Sequence, residues 1–84
     1  MGSLRKAKVA VKLAELNARA TEYREPATLD TLAAAYAEAG QFDRAVVTAK
    51  SAIVLARASH QEQLGEGLQA RLQLYLAKKP YREP

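Results

Sequence analysis

The sequence predicts an all-α chain of about four helices, folded as stacked antiparallel hairpins. Three observations predict it. Alanine, the strongest helix former, dominates the apolar residues, whereas Val and Ile are few and Phe occurs once. The three prolines stand at 26, 80 and 84, outside the interior of every candidate helix. Apolar residues recur at three- and four-residue intervals, a series that no strand template fits.

Length and composition bound the rest. The chain has 84 residues, 49% hydrophobic and 26% charged, which is one small globular domain rather than a disordered segment. Cysteine is absent, which excludes a disulfide framework, a thiolate zinc site and a cysteine nucleophile; a single histidine excludes a histidine-rich metal site. No apolar run approaches the roughly 20 residues that span a bilayer. Met1-Gly2-Ser3 resembles an expression scar and stands apart from the functional reading. The domain is therefore expected over residues 4–79, with 80–84 as a tail.

The first helix is expected from about Leu4 to Tyr23, with Ser3 as its N-cap. Leu4, Ala7, Val11, Ala14 and Ala18 form one face; Val9, Leu13, Leu16 and Ala20 form a second, so the helix wants neighbours on two sides. Arg5, Lys6 and Lys8 crowd its first turns, where positive charge opposes the helix dipole. Pro26 breaks the chain after Tyr23-Arg24-Glu25 and suits the first turn of a second helix, Pro26 to Ala39, with Leu29, Leu32, Ala33 and Tyr36 on its inner face. Gly40 is the expected left-handed C′ residue. The short turn that follows makes the third helix, Phe42 to Ala58, an antiparallel neighbour. Ser59-His60 is a weaker break. The fourth helix is expected from Gln61 to Lys79, striped by Leu64, Leu68, Leu72, Tyr75 and Leu76 and ended by Pro80. Gly65 and Gly67 inside it permit close packing or mark fraying. Tyr-Arg-Glu-Pro follows a helix at both 23–26 and 81–84 and reads as the same kind of exit.

Internal similarity has a period near 34. Ala10 and Ala14 lie 35 residues before Ala45 and Ala49, Ala18 lies 34 before Ala52, and Leu29 and Leu32 lie 35 and 36 before Leu64 and Leu68. Leu29, Leu32, Ala33 and Tyr36 on one helix, Gly40 and Phe42 at the turn, and Ala45, Ala49 and Ala52 on the next resemble a tetratricopeptide repeat (TPR), complete over about 26–59. Leu29 stands where that family often has Trp, and Arg57 where it usually has a closing Pro. The stretch also looks like the last repeats of long bacterial proteins of the family. The resemblance implies a short right-handed solenoid whose first segment is an orphan second helix and whose fourth, about 61–79, is a solvating cap. It further implies a concave groove for a peptide or partner helix, to which Asp30, Thr31, Ala34, Ala37 and Glu38 would face. A carboxylate clamp is disfavoured, because Asp30 and Ala34 stand where that subfamily uses Lys, Asn and Arg. Stacking, rather than any single hairpin, buries such an apolar face, so a chain of roughly two repeats is marginal unless its cap is effective or chains associate.

Nothing in the chain reads as catalytic. Glu15, Glu22 and Glu25 form no site with His60, which reads as a turn residue; Ser51 and Ser59 lack a His or Asp at a telling spacing; Gly65 and Gly67 belong to no phosphate loop. Tyr75 and Tyr81 read as packing or tail-docking residues. The net charge is +4, with basic residues gathered at Arg5, Lys6, Lys8 and Lys12 and again at Lys78, Lys79 and Arg82, yet no aromatic interleaving or nucleic-acid motif accompanies them. The expectation is a non-enzymatic protein-interaction module with no cofactor and no metal. Its partner is a protein, a peptide or a second copy of itself; specific nucleic-acid binding is disfavoured. A self-associating or engineered scaffold without a natural ligand is the alternative. No address is legible, so a soluble, cytoplasmic chain is the default.

Overall fold

The structure, a computed structural model, describes residues 2–81. It is all-α: α1 (Gly2–Ala20), α2 (Pro26–Glu38), α3 (Phe42–Ala58) and α4 (Glu62–Leu76). The helices pack in chain order, α1 on α2, α2 on α3 and α3 on α4; α2 also touches α4, and among the described residues α1 meets neither α3 nor α4. Short connections turn each helix back along its predecessor, so the molecule grows by addition of neighbours.

Alanine sets the spacing between helices. Ala33, Ala45, Ala49, Ala52 and Ala56 are completely buried, with no side chain beyond a methyl group to hold the backbones apart. Leu29, Leu32, Tyr36, Leu68, Leu72 and Tyr75 supply the bulk, and Phe42 and Val46 pack half-buried against them. Of the inner stripe expected on α1, Ala7, Val11, Ala14 and Ala18 are all buried, and the side chain of Leu4 lies outside the described residues. Its second apolar face is not covered: Val9, Leu13 and Leu16 are each more than half exposed.

All four helices end in one device. Two backbone bonds close each: the N–H of Tyr23 to the Ala18 carbonyl and of Glu22 to Arg19; of Gln41 to Tyr36 and of Gly40 to Ala37; of Gln61 to Ala56 and of His60 to Arg57; of Lys79 to Leu74 and of Lys78 to Tyr75. This is the Schellman pattern, which requires a left-handed residue at C′. Gly40 occupies that position at φ +79°, but Glu22, His60 and Lys78 occupy the others at φ 55°, 60° and 58°. These residues correct the expected helix ends. α1 stops at Ala20 rather than Tyr23, and α4 stops at Leu76, turned by Lys78 rather than by Pro80. At the other end α1 already includes Gly2, so Ser3 lies within its first turn and does not cap it. The two Tyr-Arg-Glu-Pro copies also differ: Tyr23 closes the turn of α1 and is exposed, whereas Tyr81 lies beyond the turn of α4 and packs on the core; Arg82 to Pro84, like Met1, lie outside the described residues.

A left-handed side chain costs about 1 kcal/mol relative to glycine. His60→Gly is therefore expected to stabilise the fold by about 0.5–1 kcal/mol. Gly40→Ala, whose new Cβ would meet nothing within 4 Å, is expected to lose about 1 kcal/mol through backbone strain alone. Urea unfolding of the two variants checks both signs.

Burial separates one of the alanine pairs matched in the sequence. Ala10 is exposed whereas Ala45 is buried, so those two positions are not equivalent. The burial register runs at 38 residues: Ala7, Val11, Ala14 and Ala18 correspond to Ala45, Ala49, Ala52 and Ala56. The helix ends agree. Ala18-Arg19-Ala20-Thr21 corresponds to Ala56-Arg57-Ala58-Ser59, and the Thr21 and Ser59 hydroxyls both donate back to last-turn carbonyls, Thr21 to Ala18 at 2.9 Å and Ser59 to Leu55 at 2.8 Å. α1 and α3 thus share a burial pattern and a similar helix end at an offset of 38 residues.

Gly65 is buried where α4 crosses α3, yet a Cβ there would lie 3.9 Å from the Ala56 methyl, an ordinary contact. Close packing does not require it. Gly65→Ala is expected to stabilise by about 1 kcal/mol through helix propensity. A thermal melt checks this, since about 1 kcal/mol moves the Tm of a domain this size by roughly 4–8 °C.

Candidate functional site

α2 is held along both edges. Toward α1, Tyr36 is buried and its hydroxyl donates to Glu15 Oε2 at 2.7 Å, while the Arg44 guanidinium of α3 stands 5.9 Å from its ring centroid. Burial, reinforced by the Glu15 carboxylate, raises the Tyr36 pKa above its ordinary value; Arg44 works against the rise.

Toward α4, Asp30 receives a two-pronged bond from Arg71: Nε to Oδ1 and Nη2 to Oδ2, both 2.8 Å. Both side chains are largely shielded from water. The Arg71 guanidinium also stands over the Tyr81 ring, its Cζ 5.0 Å from the centroid. Gly67 makes room for this arrangement, because a Cβ there would fall 3.1 Å from Arg71 Nη2 and 3.3 Å from Nη1. The two glycines of α4 therefore differ: Gly65 is replaceable, and Gly67 seats the guanidinium. Gly67→Ala should give little or none of the gain expected for Gly65→Ala.

Beside this pair lies Tyr75, almost wholly buried, its hydroxyl without a hydrogen-bond partner among the described residues. Burial first, then the Asp30 charge, pushes its pKa up to about 12; Arg71 opposes the shift and Tyr81 adds to it. The raised value favours the neutral phenol in the fold. Its contribution is complete below about pH 10, the ordinary value, and is lost as pH climbs toward 12. Since an unpaired buried hydroxyl costs free energy, Tyr75→Phe is expected to be as stable as the parent at pH 7, or more so by up to about 1 kcal/mol. It should also lose less stability between pH 10 and 12. Urea titrations at the two pH values check this, and a loss above about 1 kcal/mol at pH 7 would mean that the hydroxyl is bonded.

The five residues assigned to the groove thus divide. Thr31 and Glu38 are exposed and Ala34 half-exposed on the open strip of α2, joined there by Ala27. Asp30 is taken up by Arg71, and Ala37 is buried in the core, so neither lies open on the strip. Thr31 turns its hydroxyl back to the Ala27 carbonyl at 3.2 Å. Between α1 and α2 a depression lined by Asn17, Ala20, Thr21, Ala27 and Thr31 continues the strip. The sequence reading missed Arg71 and Glu15, the residues that fix this helix; each lies more than 20 positions from its partner and carries no local signature.

His60 is exposed at its turn, and among the described residues no group of His, Asp and Glu could hold a metal. No helix among those residues is long and apolar enough to cross a membrane. Comparison with protein-family models, curated proteins and solved structures gives no match.

Proposed function

We propose that the chain is a non-enzymatic protein-interaction module of the tetratricopeptide type, taking an extended peptide or a partner helix along the open strip of α2. One observation carries the reading: α2 is pinned along both edges, by Glu15 and by Arg71, while Ala27, Thr31, Ala34 and Glu38 between them stay accessible. Small and polar residues on a rigid helix suit a backbone that must lie close. Neighbour-by-neighbour stacking, alanine-lined crossings and the burial pattern shared by α1 and α3 support the repeat assignment. The 38-residue register and the 17-residue α3 depart from the family's regular spacing.

The test is selection of peptides from a displayed library, followed by titration into the parent and into Ala34→Arg. Ala34→Arg should weaken a strip-bound peptide at least tenfold while leaving the helical content unchanged. Peptides that bind Ala34→Arg undiminished would remove the strip from consideration. Asp30 is unsuitable for this test, because its replacement breaks the Arg71 pair. The alternative, a self-associating scaffold, requires sedimentation to show a dimer at high micromolar concentration and the library to yield no binder.

A further inference from the structure

Apart from Ala20, which also borders the depression between α1 and α2, the outer face of α1 belongs to neither the core nor the strip. Val9, Leu13 and Leu16 are 52%, 57% and 59% exposed, and Ala20 continues their line. Their spacing is four, three and four residues, the alternation of a coiled-coil seam rather than the broader stripe of a core-facing helix. At about 100° per residue they lie opposite the buried Ala7, Val11, Ala14 and Ala18.

A further stacked helix does not account for this seam. α3 already has a helix on each side, and it still exposes Val47 and Val54, the equivalents of Val9 and Leu16 at 38 residues' distance. The outer line is uncovered even when stacking is complete. On α3 it is interrupted by Ser51, whereas α1 has Leu13 there.

Charge identifies the occupant. Arg5, Lys12 and Arg19 recur every seven residues along one flank of the seam, and Lys6 stands one heptad before Leu13 in the seam itself. All four are exposed, and none forms an ion pair among the described residues. Glu15, the one acidic residue of α1, is drawn to the inner side by Tyr36. A second copy fits poorly: antiparallel pairing sets Arg5, Lys12 and Arg19 against themselves, and parallel pairing sets Lys6 on Lys6.

We propose that α1 docks an acidic amphipathic helix of another protein, pairing in coiled-coil fashion through Val9, Leu13 and Leu16, with carboxylates of the partner along the Arg5-Lys12-Arg19 flank. The seam covers about two heptads, so the complex is weak and salt-sensitive.

The probe is a synthetic helix of about three heptads with Leu at its seam positions and Glu on both flanks, alongside a twin carrying Lys in place of Glu. Each is titrated into the whole chain by fluorescence anisotropy. The Glu helix should bind at least tenfold more tightly than the Lys twin. Leu13→Gln should abolish binding, and K12E with R19E should reverse the preference between the twins. Circular dichroism confirms that these surface variants keep their helices. Equal binding of both probes, or indifference to Leu13→Gln, overturns the proposal. So does a dimer that Leu13→Gln dissolves. Capture of the chain by phosphatidylserine vesicles without binding of the Glu helix assigns the face to a membrane surface and overturns it too.

Discussion

Leu68→Ala is expected to destabilise the domain by about 3 kcal/mol, read as a lowered urea midpoint with an unchanged slope. Leu68 is completely buried, one of the two largest side chains in that state. It stands mid-helix on α4, the element that closes the stack. Removing it deletes its transfer free energy and leaves a void in a core rich in alanine, whose methyl groups cannot swing to fill it. The loss is large against the total: at roughly 0.05–0.15 kcal/mol per residue a chain this size holds about 4–12 kcal/mol. A loss under about 1 kcal/mol would show that α4 does not pack as described.

The second large effect is at Arg71. Arg71→Ala is expected to lose about 2 kcal/mol, more than an exposed ion pair contributes, because Asp30 would remain partly buried without a partner. It also removes the cation beneath Tyr81. A double-mutant cycle with Asp30→Ala separates these parts: if the two-pronged bond dominates, the double variant is little worse than Arg71→Ala alone. Additive losses would mean that the two side chains act independently.

The middle of the molecule was legible because its punctuation is conventional. Pro26 opens α2, Gly40 closes it, and α3 spans Phe42 to Ala58 as its periodicity predicts. The outer ends were less legible because Glu22 and Lys78 take left-handed conformations that composition does not advertise. Alanine also obscured the repeat. With alanine so frequent, several offsets match by chance, and only burial distinguishes the exposed Ala10 from the buried Ala45. The informative signal was the pair Ala-Arg-Ala-Thr and Ala-Arg-Ala-Ser, where a hydroxyl at the end of each helix bonds backward. Of the candidate strip, the helix and its outward residues could be read from periodicity. The assignment of Asp30 to Arg71 could not, since 41 residues separate them and either side chain alone reads as a solvated charge.

Among the described residues α1 leans on α2 alone, whereas α2 and α3 are each gripped from two sides and α4 is tied back to α2 by Arg71. Peeling should therefore begin at one end. Amide protons of α1 are expected to exchange fastest among the helices, with protection rising toward α3. Anything that seizes α1 from outside would slow that exchange and raise the melting temperature, so occupancy of one surface would be recorded as rigidity in the whole stack.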